Sequence, residues 1–375
     1  MRSLNAAAQQ KLDRLEAAKL RRVLVPTGRL GDGWLERSGV RLLDFCSNDL
    51  LSLAHDPALI QAAADAMKQF GTGAGASRLV TGNHPLLVQL EAELARHHHT
   101  EDAVVFGSGY LMNTGVTPTF VGPHDLILID RLAHACLYAG AQLSGARTIR
   151  FPHGDPDAVR ALLEAHRAEH PRCMVLTDTV FSMDGDRAPI ASLQAVCVKH
   201  DAWLLTDDAH GLGIVSGDNP APLKGGTLSK ALAAYGGYIC GSRVVMDLIR
   251  TRARTLIYST GLPPGVVATA LAALHRIETD PDWCARPRML ARRFAAGMGL
   301  PEPAAGIVPW IVGAPDRALA YSRQLEARGF LVTAIRPPTV PDGTARLRLT
   351  FQAAHTEHQI DTLIAACQEI ACAPS

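Results

Sequence analysis

The stretch LLTDDAHGLG (204–213) carries an apolar run into Asp207, Asp208 and His210, and KGGTLSKALAAYGGYICGS (224–242) then sets Lys230 among small, uncharged residues. A carboxylate at the end of an apolar run is costly to bury unless a cation meets it. An ammonium group in such surroundings loses solvation, its pKa falls, and it becomes a usable amine for proton abstraction or Schiff-base chemistry. A surface lysine in a glycine-rich turn explains the second stretch, taken alone, equally well. Three more apolar runs end in polar residues. FGSGY (106–110) has the small residues that let backbone N–H groups face an anion at a helix N-terminus, although Gly-Ser-Gly is also ordinary turn chemistry. DRLAHAC (130–136) presents His134, a ring able to stack on a flat ligand or a satisfied structural histidine. TDTVFSMDGD (177–186) presents Ser182.

One ligand needs all of these at once. Pyridoxal phosphate (PLP) requires a lysine for its aldehyde and a carboxylate that keeps its pyridine nitrogen protonated. It also requires a stacking group, donors to its phenolic oxygen and a phosphate cup. Lys230, Asp207, His134, Ser182 with His210, and Gly109 and Tyr110 with Thr227 supply these in turn. Each match is weak by itself; together they make PLP the expected cofactor.

The elements that must position these residues are legible in the hydrophobic pattern. Residues 4–22 read as an amphipathic helix through Leu4, Leu12, Leu15 and Leu20. A strand at 40–45 and a helix at 57–70 follow, then a Gly-rich segment and a helix through 86–95. Strands at 103–107, 125–130, 147–152, 173–178 and 202–207 then alternate with helices at 109–119, 134–144, 156–168 and 190–200. Such alternation predicts an α/β fold with a mostly parallel sheet covered on both faces. Ligands of such sheets bind beyond the carboxyl ends of the strands. After a helix at 264–277 the segments PDW and ARPR break the pattern. The remainder reads strand (305–313), helix (316–328), strand (330–335), strand (345–351) and helix (356–370), a smaller α+β lobe.

With 375 residues, 47% of them hydrophobic, the chain can build a large core and two lobes. Its 37 basic and 36 acidic residues nearly cancel, so neither nucleic acid nor an anionic membrane is an expected partner. No apolar run approaches bilayer length, and the first residues lack a signal peptide's apolar core. The eight cysteines form no CxxC pair and sit in apolar segments, which fits free thiols in a reducing cytoplasm. His97-His98-His99 is expected to be a solvated helix end rather than a metal site, because adjacent helical residues point to different faces.

Several segments resemble the α-oxoamine synthase family of fold-type I PLP enzymes, over nearly the whole length. CSNDLLSL (46–53) is similar to the family's SNDYLGL and GASRLVTGN (75–83) to its GSRLVSG, while FSMDGD, DDAHGLG and TLSK also match. IRPPTVPDGTARLRLT (335–350) is most typical of members that join alanine to a pimeloyl thioester in biotin synthesis. Leu50 and Ser52 depart from the pattern beside Asn48. The resemblance implies a fold-type I PLP-dependent transferase. Its parts would be a helical arm and strand (1–45), a large domain with a mostly parallel seven-stranded sheet between helices (46–278) and a small α+β domain (279–375).

Carried over residue by residue, the resemblance makes Lys230 the lysine that condenses with the cofactor, Asp207 the partner of the ring nitrogen and His134 the stacking ring. Ser182 and His210 would lie near the phenolic oxygen, and Gly109, Tyr110 and Thr227 would bind the cofactor. Arg348 would grip the amino-acid carboxylate, with Arg21, Asn48 and Thr339 near the substrates. Thr260, in YSTGLPP (258–264), would reach the cofactor phosphate of a neighbouring subunit, which implies a homodimer. The implied reaction is decarboxylative condensation of L-alanine with pimeloyl-CoA or a pimeloyl-acyl-carrier protein. Glycine-using members of the family share the chemistry, and an aminotransferase would share Lys230 and Asp207. Alternation along ARLRLTF (345–351) puts Arg346 and Arg348 on one face, towards cleft or solvent, and Leu347 and Leu349 on the other, towards the core.

Overall fold

The computed structural model describes residues 2–18 and 20–372. Fourteen strands are found among them. β1 (Gly28–Gly31), β2 (Trp34–Arg37) and β3 (Val40–Asp44) form an antiparallel meander. β4 (Asp102–Phe106), β5 (Leu126–Asp130), β6 (Arg147–Phe151), β7 (Cys173–Asp178), β8 (Trp203–Asp207), β9 (Leu223–Thr227) and β10 (Gly237–Gly241) form a seven-stranded sheet in the order β4-β10-β9-β8-β7-β5-β6. Only β10 runs antiparallel to its neighbours. β5 and β7 are buried along their whole length, as continuous apolar strands between two helical layers must be.

β11 (Ile307–Gly313), β12 (Phe330–Leu331), β13 (Thr333–Ile335) and β14 (Ala345–Thr350) complete the chain. β11, β14 and β13 make an antiparallel sheet, whereas β12 pairs in parallel with β3, so the first meander is continued by a strand from the C-terminal region. The stretch 330–335, expected as one strand, therefore divides between two sheets. Phe45, Phe294, Phe330 and Phe351 share the core of this smaller lobe.

Three expectations need correction. The segments PDW and ARPR do not break the helical pattern, because a helix spans Pro281–Gly297 and contains both. Asp280 caps it by accepting a bond from Trp283 N at 3.1 Å, and Pro281 occupies the first turn, where its missing N–H costs nothing. β9 and β10 escaped the pattern because their glycines and flanking turns mask a strand period. The His97–His99 helix end is not simply solvated. His98 turns inward to Tyr238 Oη at 3.0 Å, and burial pushes its pKa down to about 3. The helix Arg2–Ala17 contributes no buried residue.

Candidate active site

Because β5, β7, β8 and β9 are parallel, their final residues reach one edge: Asp130, Asp178, Asp207 and Thr227. The register sets Asp178 directly beside Asp207. Asp207 is 4% exposed and firmly held. Its Oδ2 accepts from Asn113 Nδ2 at 2.6 Å and its Oδ1 from Ala209 N at 3.0 Å. Burial, and then the Asp207 charge, push the Asp178 carboxyl well above the usual carboxylate range, while His134 N donates to it at 2.9 Å.

Lys230 follows β9 in a tight loop closed by Leu228 N to Gly236 O and Ala233 N to Lys230 O, both 3.0 Å. Burial lowers its ammonium pKa; Asp207 and Asp178 oppose that, and Arg348 adds to it. These four groups therefore share one electrostatic field. His210 is buried, and burial lowers its pKa well below the ordinary value, with Lys230 and Arg348 reinforcing the shift. Its Nδ1 has no hydrogen-bond partner. A buried ring nitrogen left unmatched is a position that a ligand's polar atom can fill.

His134 caps the helix Ala135–Ser144 and stays exposed, with Nδ1 2.8 Å from the Cys136 thiol. The helix Gly109–Phe120 begins beside β9. Ser108 Oγ accepts from Leu111 N at 3.1 Å, and a Cβ added at Gly109 would meet Thr227 Cβ at 3.4 Å. The first N–H groups of a helix lack intrahelical partners, so Gly109 and Tyr110 beside the Thr227 hydroxyl suit a phosphate. Lysine, carboxylate, unmatched imidazole and anion cradle thus fit PLP on one edge.

The smaller lobe meets this edge through the turn 181–186. Arg348 Nε donates to Ser182 O, one terminal nitrogen to Thr350 Oγ1 at 3.0 Å and the other to Asn48 Oδ1 at 3.3 Å. All three acceptors are neutral. Burial pushes the Arg348 pKa down to about 10. Arg346, two residues earlier on the same face, instead makes an ion pair with Asp184 and donates to Met183 O at 3.3 Å. Leu347 and Leu349 are fully buried on the other face, as alternation predicted.

Lys230, Asp207, His134, His210 and Arg348 thus lie within one another's field, Arg348 is bonded to Ser182 and Asn48, and Gly109 and Thr227 stand at the same sheet edge. Arg21 does not join them: it pairs with Glu16 at 3.1 Å on the exposed arm. Thr339 is exposed in the loop before β14, and Thr260 is exposed where its backbone bridges Ser77. Sequence reading missed Asn113 and Asp178. Asn113, a fully buried amide in an otherwise apolar stretch of helix, was the available signal. Asp178 ends a run as apolar as the one before Asp207.

The model of the family described as aminotransferase class I and II matches residues 40–366. An 8-amino-7-oxononanoate synthase of Methylorubrum populi is 58% identical over 98% of this chain and 95% of its own. One of Methylobacterium nodulans is 56% identical over 99% and 98%. Among solved structures, a serine palmitoyltransferase of S. paucimobilis with a bound PLP–myriocin adduct superposes with a TM-score of 0.90 at 26% identity, covering 98% of each chain. An 8-amino-7-oxononanoate synthase of Francisella tularensis superposes at 0.75 over 88% of this chain and 98% of that one; at 22% identity it speaks for the fold alone. A lysine–aspartate edge built for PLP, with near full-length identity above one half, has one consequence: the chain belongs to the class I and II aminotransferase family, among its 8-amino-7-oxononanoate synthases.

Proposed function

We propose that the protein joins L-alanine to a pimeloyl thioester with loss of carbon dioxide, giving 8-amino-7-oxononanoate and a free thiol for biotin synthesis. The observation that carries the amino-acid side is Arg348, a buried guanidinium whose partners are all neutral. A buried charge without a counter-ion is costly, and a carboxylate matches the guanidinium fork with both oxygens. PLP, when bound, supplies the electron sink for the carbanion formed at the amino acid's α-carbon. Lys230 would hold the cofactor, and its lowered pKa suits its amine to take the amino acid's α-proton. Asp207, held by Asn113 and Ala209, keeps a proton on the ring nitrogen. His134 would stack on the ring. Ser182 and His210 serve the phenolic oxygen, and Gly109, Tyr110 and Thr227 the phosphate. Asn48 steadies Arg348, while Arg21 and Thr339, exposed outside this cluster, take no part in this reading.

The active form in this reading is a cytoplasmic homodimer, with Thr260 reaching the partner's phosphate site. Exposed Leu79, Val80 and Tyr258 flank the Ser77–Thr260 bridge and offer an apolar face for a second copy. The eight cysteines are free and mostly buried, as a reducing compartment allows. No helix among the described residues is long and apolar enough to cross a membrane.

The test is an assay of purified, PLP-loaded protein with alanine or glycine against pimeloyl-CoA, a pimeloyl-carrier thioester and shorter acyl thioesters, following carbon dioxide and product mass. Preference for glycine with a short acyl group would overturn the substrate assignment. Sedimentation showing a fully active monomer would overturn the dimer.

A further inference from the structure

Behind Ser182 lies a charged cluster that the proposed chemistry leaves unused. Asp130, at the end of β5, is fully buried; its Oδ1 accepts from Leu132 N and its Oδ2 from Gly154 N, each at 2.8 Å. The His153 ring stands between this carboxylate and a second one. Its Nδ1 is 3.0 Å from Asp130 Oδ1, and its Nε2 is 2.7 Å from Asp186 Oδ2. Both ring nitrogens face carboxylate oxygens, which an imidazole satisfies together only by carrying both protons. Burial by itself would lower the pKa, but the bonds to Asp130 and Asp186 outweigh it and raise it to about 10. A lysine could supply the charge but not two N–H groups at a fixed angle on a rigid ring.

Asp186 closes the turn that begins at Phe181. Phe181 N donates to Asp186 O at 3.0 Å, Gly185 N donates to Phe181 O at 2.8 Å, and the Phe181 ring meets His153 edge to face at 4.2 Å. The opposite side of this turn receives β14: Ser182 O takes Arg348 Nε, and Asp184 takes Arg346. Gly185, at φ 73°, lies so close to β11 that a Cβ there would meet Ile307 Cβ at 3.0 Å. One six-residue turn is thus gripped from behind by His153 and carries both arginines in front.

We propose that His153 is a positioning residue: its imidazolium bridges Asp130 and Asp186, clamps the turn 181–186 to the end of β5, and so holds Ser182 and Arg348 in register for the amino-acid carboxylate. The inference rests on the reading of Arg348 as the carboxylate site.

Three measurements test it. In the PLP-loaded protein, alanine titration followed by cofactor absorbance should show His153→Gln needing about 3- to 30-fold more alanine. PLP retention should be unchanged, and kcat at saturating alanine should change less than KM. In the cofactor-free protein, hydrogen exchange should speed up at the Phe181 and Gly185 amides and stay unchanged in β7. In an Arg348→Lys background, His153→Gln should add little further loss, because its effect passes through the same guanidinium. Should His153→Gln fail to fold, Asp186→Asn removes only the half-exposed arm of the clamp and should give the same pattern more weakly. Unchanged alanine affinity together with unchanged turn exchange would overturn the proposal, as would losses that add fully in the double variant. If Arg348→Lys weakens alanine and His153→Gln does not, the clamp alone is wrong. If Arg348→Lys itself leaves alanine affinity unaltered, the carboxylate assignment falls and takes the clamp's purpose with it.

Discussion

At the carboxyl edge of the large sheet, charges of both signs are already present in one chain. Asp207 and Asp178 end neighbouring strands, and Lys230 stands in their field. Across the seam, β14 presents two guanidinium groups on one face, and they are treated differently. Arg346 meets Asp184, whereas Arg348 meets only neutral oxygens. The edge is thus nearly complete in charge before any ligand arrives, and the seam is short of one negative charge. A cofactor edge must be ready-made to bind a ring in one orientation. A substrate site gains selectivity when the missing charge is the substrate's own.

The largest effects should come from the edge. Lys230→Ala removes a positioned base as well as the covalent attachment, and losing such a base alone costs about 10²–10⁴-fold in rate. Single-turnover assays should show PLP bound and no product; appreciable turnover would contradict the role. Asp207→Asn keeps the bond geometry but not the charge, so kcat should fall by about 10²–10³-fold. Wild-type rates in that variant would mean that the ring nitrogen needs no anion here.

At the seam the two arginines should separate into stability and affinity. Arg346→Ala leaves the partly buried Asp184 without its cation and should destabilise the fold by about 1–3 kcal/mol, read from a urea midpoint. Arg348→Ala should leave that midpoint closer to wild type. Its alanine affinity should drop about 10- to 100-fold, since charge-assisted bonds are worth roughly 1.5–3 kcal/mol. The reverse outcome, with Arg346 controlling affinity, would exchange their assignments.

A pH-dependent effect, absent at neutral pH, lies in the core behind the seam. Burial lowers the His355 pKa to about 4, and its Nδ1 accepts from Gln352 N at 3.2 Å. A pKa depressed in the folded state means stability that is complete above the unfolded value, near 6.5, and is lost as pH falls towards 4. His355→Asn keeps an acceptor but cannot titrate. Between pH 6.5 and 4, its stability should therefore decline less than that of the wild type, by up to about 1.4 kcal/mol per pH unit. Equal slopes would show that His355 is already charged in the fold.

Much of both regions is local in origin. The apolar runs ending at Asp130, Asp178 and Asp207 announce buried parallel strands, because a strand covered on both faces must be apolar throughout, and its first polar residue marks the edge. Lys230 stands out for the same reason, as a charge in surroundings that offer it no water. The alternation in ARLRLTF likewise determined that both arginines share a face, since the strand period is two.

What the tertiary structure alone decided is which opposite charges meet. Nothing local distinguishes Arg346 from Arg348; only the seating of β14 on the turn 181–186 gives one a carboxylate and leaves the other without. The same holds for Asn113 against Asp207, for His153 between Asp130 and Asp186, and for β12 joining β3. Residue type and period are written along the chain and act over a few positions. Pairing energies depend on distance and desolvation between segments far apart in sequence, and those are set only once the segments have packed.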